Sequence, residues 1–96
     1  MPISTTTIPT NRASVYLQQL CKHFGHKVPA EFDANAGRIE LPFGECRLAA
    51  DDAVLTMIVE GTQEDLPRLE RVIGDHLTRF AFREAPTFTW EQSAPA

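Results

Sequence analysis

The feature that most constrains this chain is a stretch of alternation in its middle, residues 28–60, with helical spacing on either side. Val28, Ala30 and Phe32 fall on one side of a first run. Ile39, Leu41 and Phe43 fall on one side of the next, with Arg38 and Glu40 opposite. Side chains of a strand point alternately to two faces, so a period of two over short runs means strands with one buried face. Three breaks divide the runs. Asp33-Ala34-Asn35-Ala36-Gly37 supplies the first turn, because Asn and Gly tolerate positive φ. Phe43-Gly44 turns the chain into Cys46, Leu48 and Ala50, and Asp51-Asp52 turns it into residues 54–60. The expectation is a four-strand antiparallel meander that needs a cover on one face.

The flanks provide that cover. Upstream, residues 3–8 are rich in Thr and Ile and precede Pro9, which suits a short strand at a sheet edge. A helix follows, capped by Thr10 or Asn11, with Ala13, Tyr16, Leu17, Leu20 and Phe24 as its apolar stripe and Gly25 as its left-handed stop. Downstream, Thr62 and Asp65 stand like a capping box with Asp in the Glu position, and Pro67 falls near the first turn. Leu66, Leu69, Ile73, His76, Leu77 and Phe80 then make the buried face of a second helix. A last strand is expected over residues 87–91, with Phe88 and Trp90 on one side and a tail from Glu91 to Ala96. The predicted order is β-α-β-β-β-β-α-β: an α+β two-layer sandwich, a mostly antiparallel sheet with two helices on one face. By element order alone it resembles the TATA-binding-protein-like and helix-grip arrangements.

At 96 residues the chain fits a single domain, 1–96, with an ordered core over about 3–91. No apolar run approaches the ~18 residues that span a bilayer, and the first residues lack the cationic and apolar regions of a signal peptide, so a cytoplasmic location is expected. Nine basic against thirteen acidic residues give a net charge of −4, which argues against nucleic acid and anionic membrane as partners. The polar side of the sheet, with Glu31, Glu40 and Glu45 beside Arg38 and Arg47, argues the same way. In a reducing compartment Cys21 and Cys46 are expected as free thiols filling core space.

Reactive residues gather in two blocks. The first is Cys21-Lys22-His23-Phe24-Gly25-His26-Lys27 at the end of the first helix. As text it invites a metal reading from Cys21, His23 and His26, with Cys46 or His76 as further ligands, but residues two apart on a helix do not face each other. No metal and no cofactor are assigned on that basis. Cations in a last helical turn also have an ordinary role, because they interact favourably with the negative end of the helix dipole.

The second block holds His76 and Arg79-Phe80-Ala81-Phe82-Arg83. Helical phase puts His76 near the middle of the apolar stripe, where it must be partly buried and needs a partner such as a backbone carbonyl or Tyr16. Arginine grips carboxylates and phosphates bidentately, and flanking rings cover an apolar ligand body. Ion pairs of Arg79 and Arg83 with Asp75 and Glu84 are the plainer alternative. If the two helices lie side by side, Lys22, His23, His26, Lys27, His76, Arg79 and Arg83 form one cationic patch. No nucleophile elbow, phosphate loop or His-Glu-x-x-His pattern is present.

The blocks from Leu20 to Pro29, Gly37-Arg38-Ile39, Pro42-Phe43-Gly44 and His76 to Glu84 resemble a small bacterial family known only as domain of unknown function 2218. The likeness runs from the first strand to Trp90. That family brings no established activity. It implies a tie to iron handling, since similar domains stand beside siderophore-interacting flavoprotein reductases. The leading expectation is a binding or accessory module whose cluster holds an anionic small ligand, an iron chelate or a haem-like carboxylate. A metal-dependent or redox enzyme using the His/Cys cluster is the second expectation. An interaction domain that pairs with itself or with a reductase, through a helix end or the edge of the first strand, is the third.

Overall fold

The computed structural model describes residues 2–80 and 89–93. Its elements are β1 (Ile3–Pro9), α1 (Ala13–Gly25), β2 (Ala30–Phe32), β3 (Ala36–Leu41), β4 (Gly44–Ala50), β5 (Val54–Glu60), α2 (Leu66–Phe80) and β6 (Glu91–Ser93). They form one antiparallel sheet in the order β2-β3-β4-β5-β1-β6, with both helices on one face. The expected α+β two-layer architecture and element order are what the chain adopts. No helix among the described residues is long and apolar enough to cross a membrane.

The alternation sets the layers. Ile39, Cys46, Leu48, Leu55, Met57 and Val59 are buried on the helix side, together with Ser4, Thr6 and Ile8 of β1. Leu17, Leu20 and Cys21 of α1 and Leu66, Leu69, Ile73 and Leu77 of α2 meet them, all without solvent exposure. A buried side chain of this size contributes about 1.5–3 kcal/mol, so the two helical stripes hold the layers together. Close approach depends on glycine at two positions. A Cβ on Gly37 would lie 2.7 Å from the Cys21 sulfur, and one on Gly44 would lie 2.5 Å from the Glu60 carbonyl oxygen. Neither strand carries a larger residue there without something moving.

Several local expectations are corrected. The N-cap of α1 is Arg12, with no side-chain cap, because the Thr10 hydroxyl turns to the Arg12 N–H at 3.1 Å instead. Gly25 does not stop α1 in a left-handed conformation. The helix includes it and ends at His26, right-handed at φ −71°, while the N–H groups of Lys27 and Val28 both donate to the Phe24 carbonyl. The Asp33 turn is shorter than expected, since its carboxylate accepts the N–H groups of Asn35 and Ala36 and β3 starts at Ala36. Phe32, expected to point inward, is 38% exposed, because β2 is the outermost strand and nothing pairs beyond it.

At the other side of the sheet, β1 is not the outer edge. β6 pairs with it through Ile3↔Ser93, Ser4↔Gln92 and Thr5↔Glu91, so residues read as tail form the last strand. Thr87 and Phe88 of the expected strand lie outside the described residues; Trp90 precedes the observed one and is half-buried against the core. β6 is held by side chains as well. The Ser4 hydroxyl donates to Glu70 at 2.6 Å, and the Gln92 amide donates to the same carboxylate oxygen at 3.3 Å.

Candidate functional site

The end of α1 and the last turns of α2 meet. Leu20 and Phe24 seat α1 on the core, and this carries His23 to the side that faces α2. Ile73 and Leu77 seat α2, and this carries His76 and Phe80 toward α1. The His23 ring lies 5.0 Å from that of His76 and 5.7 Å from Phe80, centroid to centroid. Phe24 completes the group, 4.8 Å from His76 and 5.5 Å from His23. Four rings from two helices thus share one contact, in tilted and edge-to-face arrangements that aromatic rings favour.

His76 is half-buried, and its Nδ1 donates to the Val72 carbonyl at 2.6 Å. Of the two expected partners, the backbone carbonyl is the one used. That bond places a proton on Nδ1. His23 is exposed yet crowded. Loss of water around the ring is the largest effect on it, followed by the charges of His76, Arg79, Lys27 and His26, and together they hold its pKa below the ordinary value. Of the expected residues, His23, His26, Lys27, His76 and Arg79 thus share one electrostatic neighbourhood. Lys22 is exposed on α1. Arg83 and Phe82 lie outside the described residues.

Among the described residues the only ion pairs are those of Arg38 with Glu40 and Glu45, so Arg79 is not answered by Asp75. Cys21 belongs to a different place. It is fully buried under α1 against Gly37, and burial pushes its thiol up to about 11, whereas His23 stands outside. Cys46 is raised further by its own burial, and both thiols are free. Among the described residues no three His, Cys, Asp or Glu side chains are placed to hold a metal ion. Surface hollows occur elsewhere. One of about 360 Å³ runs along α2 between Glu70, Asp75 and Trp90, and one of about 510 Å³ lies beside Phe32 and Arg47.

Sequence spacing pointed to both blocks and to the role of Phe24 and Phe80. It missed Val72, whose contribution is a backbone carbonyl that no side-chain pattern reports. The i, i+4 relation of Val72 to His76 was the available signal, because a ring near the middle of a helix reaches the carbonyl one turn back.

Residues 5–91 match a family described as an uncharacterized protein conserved in bacteria, DUF2218. The fold is similar to the NMR structure of PA4090 from Pseudomonas aeruginosa, at 35% identity over 95% of this chain and 96% of that one, with a TM-score of 0.80. No curated protein matches the chain.

Proposed function

The chain belongs to this family of uncharacterized bacterial proteins, DUF2218, and from that premise we propose that it is a non-enzymatic binding module whose helix-end cluster receives an anionic small molecule. The observation that carries the reading is the convergence of His23, His26, Lys27, His76 and Arg79 beside the rings of Phe24 and Phe80, on a protein whose net charge is −4. Lys27 and Arg79 act on His23 without an ion pair of their own among the described residues, and like charges held close are a cost in the free protein that a bound anion removes. The rings supply a face for an aromatic or planar ligand body, and Arg79 supplies bidentate donors for its carboxylate. Iron chelates suit this description, since ferric siderophores and haem combine negative charge with flat aromatic parts.

Binding fits the cluster better than catalysis. The Nδ1 proton of His76 is committed to a carbonyl, and among the described residues no carboxylate pairs with either imidazole as an acid–base pair requires. The test is titration of the folded protein with citrate, a ferric catecholate siderophore and haem, followed by amide chemical shifts. Saturable shifts centred on His23, His76 and Arg79, lost in a His76→Ala/Arg79→Ala variant, are expected. No saturable change with any of the three, or equal binding by the variant, overturns the reading.

A further inference from the structure

The face of the sheet away from the helices carries a charge pattern that the chain does not use up. Register places Arg38 of β3 directly opposite Arg47 of β4. Two residues along, it places Glu40 opposite Glu45 and Glu45 opposite Glu60. Like charges directly opposite each other weaken a sheet, by about as much as opposite charges strengthen it. Arg38 offsets part of this by pairing with Glu40 at 2.7 Å and with Glu45. Among the described residues Arg47 and Glu60 make no ion pair.

The two charged rows therefore run side by side across the strands, one basic (Arg38, Arg47) and one acidic (Glu40, Glu45, Glu60). Glu31 stands at the outer end of the basic row. Through β5 and β1 the basic row is uncharged, continued by Ile58 and Thr5, and Ile3 continues the acidic row beyond Glu60; at β6 the basic row ends on Glu91 and the acidic row on Ser93.

We propose that this face binds a second copy of the chain, sheet against sheet, about a two-fold axis that lies between the two rows and perpendicular to the strands. A half-turn about that axis keeps each strand's place across the sheet and exchanges the rows. Glu45 then meets Arg47 of the second copy, Glu40 meets its Arg38, and Ile3 meets its Thr5, each contact occurring twice as an isologous interface requires. Glu60 falls over Ile58 of the second copy, one strand away from its Arg47. Strands packed this way run nearly along one another, the aligned class of sheet packing.

Arg38 answers Glu40 and Glu45 within the chain but leaves Arg47 without an ion pair among the described residues, whereas between two copies Arg47 meets Glu45, and that complementarity is the argument for a second copy as the occupant. The size of the patch sets the strength. Four strands spaced about 4.8 Å apart and three residues deep give a footprint on the order of 200 Å² per copy, about a quarter of one side of a standard interface, so the dimer is weak and concentration-dependent.

Sedimentation equilibrium from about 10 μM to about 1 mM covers the range in which such an interface forms. The wild-type mass is expected to rise toward two copies, and less so at high salt. Arg47→Glu alone and Glu45→Arg alone should each remain monomeric, while an equimolar mixture of the two should dimerise, because each variant carries the complement of the other. Circular dichroism of the separate variants confirms that both are folded, as expected for substitutions on the solvated face. A wild-type monomer over the whole range overturns the proposal. So does a dimer that Arg47→Glu leaves intact, or a mixture that associates no better than its components. None of these outcomes depends on ligand binding at the helix ends.

Discussion

The rings of His23 and His76, delivered by two different helices, lie 5.0 Å apart with Phe24 and Phe80 against them. Because the surroundings hold the His23 pKa below its ordinary 6.5, the folded protein resists a proton that the unfolded chain accepts. Stability is therefore full above about pH 6.5 and is lost as pH falls from there through the lower folded value. The urea midpoint should be lower at about pH 5.5 than at about pH 7.5. Arg79→Gln removes one of the charges responsible, so the NMR titration midpoint of His23 should move up toward 6.5. An unmoved midpoint would separate Arg79 from the cluster.

Gly37→Ala puts a methyl group where the Cys21 sulfur sits, 2.7 Å away, with a Leu17 methyl at 3.3 Å. Both neighbours are fully buried, so the strain should cost about 1–3 kcal/mol in denaturant unfolding. Cys21→Ala in the same chain should recover part of that cost. A double-mutant cycle with no coupling would show that the contact does not decide the position.

The two helix starts should respond differently to truncation. The Thr62 hydroxyl accepts the Asp65 N–H at 3.2 Å and donates to the Asp65 carboxylate at 3.1 Å, so Thr62→Ala should cost about 1 kcal/mol. Asn11→Ala should stay within about 0.5 kcal/mol, since α1 has no side-chain cap to lose. Equal losses at both sites would contradict this assignment.

The Thr6 hydroxyl is buried beneath the helices with no hydrogen-bond partner among the described residues. Valine has the same shape without the polar group, and Thr6→Val should raise stability by about 1 kcal/mol. A loss on this substitution would mean that the hydroxyl has a partner after all.

These tests follow the division between what the residues announced and what they did not. The meander and both helices were legible because burial on one face writes a period of two or of 3.6 into the sequence. Thr62 and Asp65 were legible because capping is a side-chain event. The end of α1 was not, because Lys27 and Val28 close it with backbone N–H groups, which every residue but proline carries. Nor was β6. Glu91, Gln92 and Ser93 are all exposed, so they leave no apolar alternation, and their place is set by β1 and by Glu70. The meeting of the two cationic blocks was only conditional in the sequence, since it depends on helix placement, which spacing within one helix does not encode.

The central place of β1 has a kinetic consequence. β2 to β5 pair with sequence neighbours through short turns, whereas β1 must find β5 across nearly the whole length between Ile3 and Glu60. Closing that long loop is entropically slow, so the meander can assemble first and the β1 strand docks late. Substitutions such as Ile8→Val should then leave the folding rate nearly unchanged and speed unfolding. The same change at Ile39 or Leu48, inside the meander, should slow folding. The strand that docks last is the one whose loosening limits how long the native state lasts.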